Sequence, residues 1–198
     1  MARKTTISRE VILEAALKML IRDGYASVNV KTLASEIGCS TQPIVWHFEN
    51  MTGLRRALSE YAMAYAAKKA ASSYENKLES FELLGRSYVK MALKEPNLFK
   101  FLYLGESPMG KPYNLKDIGR AKNKEIIAMI AEQTGLNEEQ VIRFVRNTII
   151  YSHGIATMLA TGVLKGTEKE MMEMINKAAD AFILNEGADP EKIAVKGK

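Results

Sequence analysis

The chain has 198 residues, a net charge of +5 and a hydrophobic content of 47%. A folded chain of this length buries roughly 70% of its unfolded surface, and its composition excludes collagen-like, low-complexity and disulfide-rich proteins. With one cysteine, Cys39, and two histidines, no metal site built from cysteines or histidines is expected. The single cysteine also fits a reducing compartment. Since no apolar signal peptide opens the sequence, we expect a cytoplasmic protein. We expect neither a metal nor a cofactor.

The first quarter of the sequence predicts a basic segment and three helices. Residues 1–9 carry Arg3, Lys4 and Arg9 and no acidic residue, which is typical of a short basic arm or of a frayed terminus. In the residues that follow, capping side chains mark where each predicted helix starts, and glycines mark where helices end. The predicted helices are capped by Ser8, Asn29 and Ser40 and end at Gly24, Gly38 and about His47.

The second and third helices have the spacing of a helix-turn-helix motif. In the third helix, Ile44 and Phe48 are expected to face inward, which leaves the other side for the major groove of DNA. Gln42 is the best base-reading candidate because its amide can bond adenine through two hydrogen bonds. Thr41 can bond a base or contact a thymine methyl group, and Lys31 can meet a phosphate or a guanine.

Helical periodicity continues through the rest of the chain, where no alternating strand pattern is found. Residues 105–119, which contain several prolines and glycines, are expected to form a loop, and residues from Glu186 a loose tail. The last helix has a capping box from Thr167 and Glu170. The predicted helices lie at about 50–71, 81–94, 98–104 and 120–133, followed by one from Asn137 and one from Thr167.

Residues 147–164 contain no charge, yet about half of them are polar or glycine, so a membrane span is not expected. Apolar or small residues cover more than one face of this segment, which therefore needs protein on all sides. We predict that it pairs with the same helix and the last helix of a second subunit in a homodimer. These apolar or small residues are Ile149, Ile150, Gly154, Ile155, Met158 and Leu159.

The segment Ser8–Leu54 resembles the DNA-binding domain of the tetracycline-repressor (TetR) family of transcriptional regulators. Four motifs carry the resemblance, in the same order along the chain. They are Gly24-Tyr25, Asn29-Val30-Lys31-Thr32-Leu33-Ala34, Gly38-Cys39-Ser40 and Ile44-Val45-Trp46-His47-Phe48. The resemblance implies a DNA-binding domain over residues 1–52 and an effector-binding and dimerisation domain over residues 53–198, with about nine helices in an all-α fold.

The resemblance also implies roles for individual residues. Base contacts are expected from Lys31, Thr41, Gln42 and Pro43, and phosphate contacts near Asn29, Val30, Val45, Trp46 and His47. Many members have tyrosine where this chain has Val45 and lysine where it has Met51, so two phosphate contacts of the family are not expected here. A change of operator or a lower affinity is the expected consequence.

The body that follows is rich in aromatic residues and methionine, which line pockets for small apolar ligands and also fill ordinary helical cores. Effector-binding candidates are Tyr61, Tyr65, Tyr88, Met91, Phe99, Tyr103, Tyr113 and His153. An unidentified small-molecule effector is therefore a predicted partner, together with double-stranded operator DNA and a second copy of the chain.

The function predicted from the sequence is a ligand-responsive, homodimeric transcriptional regulator, most simply a repressor released from a palindromic operator. The alternative is a sequence-specific DNA-binding protein controlled by a protein partner in place of a small molecule. An enzyme is not expected, since no phosphate-binding loop, dinucleotide fingerprint or nucleophile elbow is present.

Overall fold

The computed structural model describes residues 7–71, 80–105, 115, 118 and 124–190. In these residues it contains nine α-helices and no β-strand, which confirms the all-α prediction. A single 3-10 turn, Tyr25–Ser27, follows the first helix. The helices are α1 (Arg9–Asp23), α2 (Val30–Ile37), α3 (Gln42–Phe48), α4 (Met51–Ala71), α5 (Ser80–Lys94), α6 (Pro96–Tyr103), α7 (Lys124–Thr134), α8 (Glu138–Ala160) and α9 (Glu168–Asn185).

Most helix starts are those that the capping residues predicted. The Ser8 hydroxyl accepts a hydrogen bond from the Val11 amide at the start of α1. Asn29, Asn137 and Thr167 each form a capping box at the start of α2, α8 and α9. These side chains satisfy backbone N–H groups that the first turn of a helix leaves unpaired.

Two helix starts differ from the prediction, and proline is involved in both. Helix α3 begins at Gln42 with Thr41 as its N-cap residue, and no side chain caps it, so the predicted cap at Ser40 is wrong. Helix α6 begins at Pro96, two residues before the predicted start. Proline suits a first turn because its missing N–H has no partner there to lose.

The junction between α3 and α4 depends on Gly53. A Cβ atom at this position would lie 2.1 Å from the carbonyl oxygen of Phe48, so only glycine fits without a backbone shift. The Asn50 side chain accepts a hydrogen bond of 3.0 Å from the Gly53 amide, which fixes the start of α4. Glu49, between the helices, has a φ of +64°, a value that L-residues rarely adopt. This tight turn sets the position of α3 against α4.

The chain divides into two compact units. The first unit consists of Met1–Glu75 and Met91–Lys111, and the second of Asn76–Lys90 and Pro112–Lys198. The core of the first unit is built from α1–α4 and α6, and Ile12, Leu33, Ile44 and Phe101 are completely buried in it. By packing, α4 and α6 therefore belong with the helix-turn-helix. The predicted functional boundary after residue 52 remains a prediction.

The core of the second unit is formed by α7, α8 and α9, with Val141 and Val145 completely buried. Residues after α9 also join it. The Gln140 side chain donates a hydrogen bond of 2.7 Å to the Glu186 carbonyl, and Arg143 forms an ion pair with the Glu186 carboxylate. Ala188 is buried. The predicted loose tail is therefore wrong for residues 186–188, which close the end of this unit, while residues 191–198 lie outside the described part.

Among the described helices, none combines the length and the apolar character that crossing a bilayer requires.

Candidate nucleic-acid interface and effector-site residues

Helix α3 divides into a buried face and an exposed face, as the motif predicted. Ile44 and Phe48 are buried in the core of the first unit. Thr41 and Gln42 are exposed at the start of the helix, and Trp46 is 74% exposed. A tryptophan this exposed contributes little to packing, so its indole is available to a partner. The first turn and the outer face of α3 thus expose hydrogen-bonding and apolar groups of the kinds that can contact base edges in a major groove.

The other predicted DNA contacts lie in α3 itself and at the start of α2. Pro43 is half-buried, Val45 is 46% exposed, and Lys31 is exposed in the first turn of α2. The Asn29 side-chain oxygen accepts hydrogen bonds from the Lys31 and Thr32 amides. The oxygen is therefore committed to the cap, and the NH₂ group of Asn29 is the donor that can meet a phosphate.

His47 has a contact that the sequence did not reveal. Its Nε2 lies 2.9 Å from the backbone carbonyl oxygen of Ile7, just before α1. Because a carbonyl only accepts, Nε2 must carry the hydrogen, and Nδ1 of the neutral ring is then an acceptor. His47 can donate to a phosphate through Nδ1 only in the imidazolium form, so its predicted phosphate contact requires a protonated ring.

Helix α6 contacts the end of α1 and the 3-10 turn that follows it. The Asn97 side chain donates to the carbonyl oxygens of Ile21 and Arg22, 3.2 and 3.4 Å away, at the end of α1. The Tyr25 ring stacks on Phe101 at a centroid distance of 5.0 Å. The Arg55 guanidinium lies 4.5 Å from the Tyr25 ring centre. In the first unit, α6 therefore packs against both α1 and α4.

Five of the predicted effector-site residues lie in the first unit. Phe99 is completely buried and lies 5.2 Å from the Tyr103 ring, measured between centroids. The other members are half-buried and pack against the core of this unit. They are Tyr61, Tyr65, Met91 and Tyr103.

A charged cluster beside these aromatics was missed in the sequence. The carboxylate oxygen Oε1 of Glu95 accepts hydrogen bonds from the Tyr65 hydroxyl at 2.8 Å and from Lys69 at 2.6 Å. Burial opposes the charge of Lys69, but hydrogen bonds to Glu95 and Tyr65 outweigh it and raise the pKa of Lys69. Glu95 is only 9% exposed, and its Oε2 is buried with no hydrogen-bond partner among the described residues. Nothing in the periodicity distinguishes Glu95 from a surface glutamate.

Two further candidates meet in the second unit. The Tyr88 hydroxyl lies 2.5 Å from Nδ1 of His153, and both side chains are half-buried. Burial lowers the pKa of His153 below its ordinary value and so favours the neutral ring. The remaining candidate, Tyr113, lies outside the described residues, as does most of the predicted loop over 105–119.

A helix-turn-helix with an exposed third helix is the arrangement that defines one class of DNA-binding domains. Residues 12–58 match the family model described as bacterial regulatory proteins, tetR family. A protein of Mycobacterium tuberculosis described as an uncharacterized HTH-type transcriptional regulator is 37% identical over 57 residues. That match covers 29% of this chain and 26% of the relative, about a quarter of each. The N-terminal helix-turn-helix region is thus similar to the DNA-binding domain of TetR-family regulators.

Proposed function

We propose that the protein is a homodimeric transcriptional repressor that a small-molecule effector releases from a palindromic operator. The observation that carries this proposal is the exposed face of α3, where Thr41 and Gln42 offer hydrogen bonds beside the apolar Trp46. Such a face is suited to direct readout of base edges. The family described for residues 12–58 supports the same function.

Exposed apolar residues on α8 and α9 support the dimer. Ile150 is 47% and Met158 43% exposed, and with Gly154 between them they occupy one face at a spacing of four residues. Met174 on α9 is 42% exposed. A second copy of the chain would cover this surface, which water otherwise contacts. A two-fold dimer would also set two α3 helices at the spacing of successive half-sites.

The buried Glu95 carboxylate supports control by a small molecule. A buried polar atom without a partner destabilises the folded state by about 1–3 kcal/mol, which a ligand donor can offset. Glu95 directly precedes α6, and α6 contacts the end of α1 through Asn97. A ligand that binds one arrangement of α6 better than another would change operator affinity by its difference in affinity for the two arrangements. The long helix α4 carries the same change to α3.

Selection of genomic DNA fragments by the purified protein, at near-physiological salt, tests the function. We expect a few enriched sites that share an inverted repeat. Retention without a common sequence would contradict a specific regulator. A specific site whose occupancy no metabolite fraction alters would instead favour control by a protein partner.

The dimer is tested separately by a charge on its proposed surface. Met158→Glu should convert the dimer to a monomer in sedimentation and weaken binding to the full inverted repeat. Val163→Glu, at an apolar residue that is 74% exposed but lies beyond the end of α8, is the matched control. If both variants remain dimeric, this surface is not the interface.

A further inference from the structure

The cluster of Tyr65, Lys69 and Glu95 uses only one of the two carboxylate oxygens of Glu95. Tyr65 and Lys69, one turn apart on α4, donate hydrogen bonds of 2.8 and 2.6 Å to Oε1. Oε2 is buried and, within the part of the chain that the structure describes, has no hydrogen-bond partner. The residue as a whole is only 9% exposed. Glu95 thus buries an acceptor that these contacts leave unused.

Helix capping does not explain this side chain. Glu95 stands at the N-cap position of α6, but its side chain makes no capping hydrogen bond there. Its backbone bonds on both sides, from its amide to the Met91 carbonyl at 2.8 Å and from the Phe99 amide to its carbonyl at 3.0 Å. Nearly all buried polar atoms of folded proteins have a hydrogen-bond partner. The partner of Oε2 must therefore come from outside the chain, as a water molecule or a ligand.

The chemistry of Oε2 selects the head group of such a ligand. Paired with the Lys69 ammonium, the carboxylate of Glu95 only accepts hydrogen bonds, so its partner must donate. A carboxylate or phosphate ligand would present acceptors and a like charge, and both oppose binding. An ammonium presents three donors and the opposite charge, and charge-assisted hydrogen bonds are about twice as strong as neutral ones.

The charge of Lys69 only partly compensates that of Glu95. The Lys69 side chain is 47% exposed, whereas the Glu95 side chain is 12% exposed. Water and salt therefore screen the Lys69 ammonium more than they screen the Glu95 carboxylate. The carboxylate keeps an attraction for a second cation that approaches Oε2.

Aromatic and apolar side chains flank the cluster. The Lys69 ammonium lies 5.4 Å from the centre of the Tyr65 ring, within the range of a cation–π interaction. Tyr61 lies one turn before Tyr65 on α4, and Met91 lies one turn before Glu95. Both are half-buried and pack against the core of the first unit. They offer apolar surface to the body of a small ligand.

We propose that Glu95 binds, through Oε2, the ammonium group of a small organic amine with an aromatic or apolar body. The inference rests on the proposed function, in which a small molecule releases the protein from DNA, and it names the chemical class of that molecule. It excludes carboxylate and phosphate ligands from this site. Because Glu95 directly precedes α6, which packs against α1 and α4, a bound amine would favour one arrangement of that helix.

The test compares two probes that share a body and differ in their head group. They are 2-phenylethylamine, an ammonium at neutral pH, and 3-phenylpropanoate, a carboxylate. Ligand-observed NMR titration of the purified protein measures both dissociation constants, including values on the order of 1 mM that are ordinary for compounds of this size. Wild type should bind the amine at least about tenfold more tightly than the carboxylate.

Two variants of the ion pair should change the affinity for the amine in opposite directions. Glu95→Gln keeps an oxygen for Tyr65 and Lys69 but places an NH₂ group where Oε2 lies, so it should bind the amine at least about tenfold more weakly. Lys69→Met keeps the stem but removes the competing cation, so it should bind the amine about two- to fivefold more tightly. Glu10→Gln, at an exposed carboxylate of the same unit, is the matched control and should bind like wild type.

Two results would overturn the inference. Equal or absent binding of the two probes to wild type would leave Oε2 to a water molecule. Amine binding weakened by the same factor in both ion-pair variants would make the pair purely structural. Circular dichroism melting shows whether each variant is folded. If Glu95→Gln is not folded, the preference of wild type for the amine and the tighter binding of Lys69→Met decide the inference.

Operator binding separates this inference from the proposed function. The amine, at a concentration that saturates wild type, should lower the affinity for the duplex recovered by genomic selection, and Glu95→Gln should not respond. Amine binding through Glu95 without a change in operator affinity would contradict control of DNA binding through this site but uphold the site. Release by the amine that is the same in Glu95→Gln as in wild type would uphold the function and overturn the inference.

Discussion

Both units of this protein expose apolar side chains, but the residues beside them differ in polarity. In the first unit, Trp46 lies beside Gln42 and Thr41, which can donate and accept hydrogen bonds. In the second unit, Ile150 and Met158 lie on a segment without a charge. An apolar group among hydrogen-bonding groups suits the mixed chemistry of a DNA groove, whereas an uncharged apolar stripe suits another protein surface.

Two glycines, one in a helix of each unit, differ in the free space around them. At the α3–α4 junction of the first unit, a methyl group in place of the Gly53 hydrogen would collide with the Phe48 carbonyl. At Gly85, in α5, a Cβ atom would meet no atom within 4 Å. A substitution at Gly53 should therefore have a larger effect than one at Gly85.

The largest effect is expected from Gly53→Ala. The backbone must shift to accommodate the Cβ atom, which should destabilise the first unit by about 1–3 kcal/mol or more and displace α3. Urea unfolding and operator binding measure the two effects. Gly85→Ala, the matched control, should stabilise α5 by about 0.5–1 kcal/mol. Equal stability of the two variants would contradict the close approach seen at Gly53.

Gln42→Ala should weaken operator binding by about 1–3 kcal/mol, or roughly 5- to 150-fold, because two hydrogen bonds to a base are lost. Binding to a library of single-base operator variants should show relaxed preference at one position. Stability should not change, since the side chain is exposed. Gln133→Ala in the second unit is the control. If Gln42→Ala binds as selectively as wild type, another residue reads that base.

Asn97→Ala should destabilise the first unit by about 1 kcal/mol, because the carbonyls of Ile21 and Arg22 lose a shared donor. If α6 transmits effector binding, the variant should also reduce the change in operator affinity that an effector causes. Asn176→Ala, at an exposed position of α9, is the control for both measurements. Unchanged coupling with reduced stability would leave Asn97 a purely structural role.

The smallest effect is a pH dependence of the second unit. Since burial lowers the pKa of His153 below 6.5, the unfolded chain takes up its proton before the folded chain does. As the pH falls below about 6.5, protonation of His153 therefore lowers the free energy of unfolding. Above that pH, His153 does not make the free energy of unfolding depend on pH. Urea unfolding between pH 5 and 8 should show a steeper decline in wild type than in His153→Asn. Parallel curves would mean that His153 titrates alike in both states.

Most helices of this protein follow from local signals in its sequence. Caps such as Asn29, Asn137 and Thr167 and the left-handed Gly38 are local signals, because the groups that they satisfy lie within a few residues. The inward positions of Ile44 and Phe48 followed from helical spacing in the same way, and so did the exposed first turn of α3.

Contacts between residues far apart in the sequence depend on how the helices pack. The bond from His47 to Ile7 joins residues 40 positions apart, that from Asn97 to Ile21 joins residues 76 apart, and that from Tyr65 to Glu95 residues 30 apart. Periodicity reports which face of a helix is apolar but not which neighbour covers it. The burial of Glu95 and the docking of Glu186 against α8 depend on that packing, so local signals could not predict them.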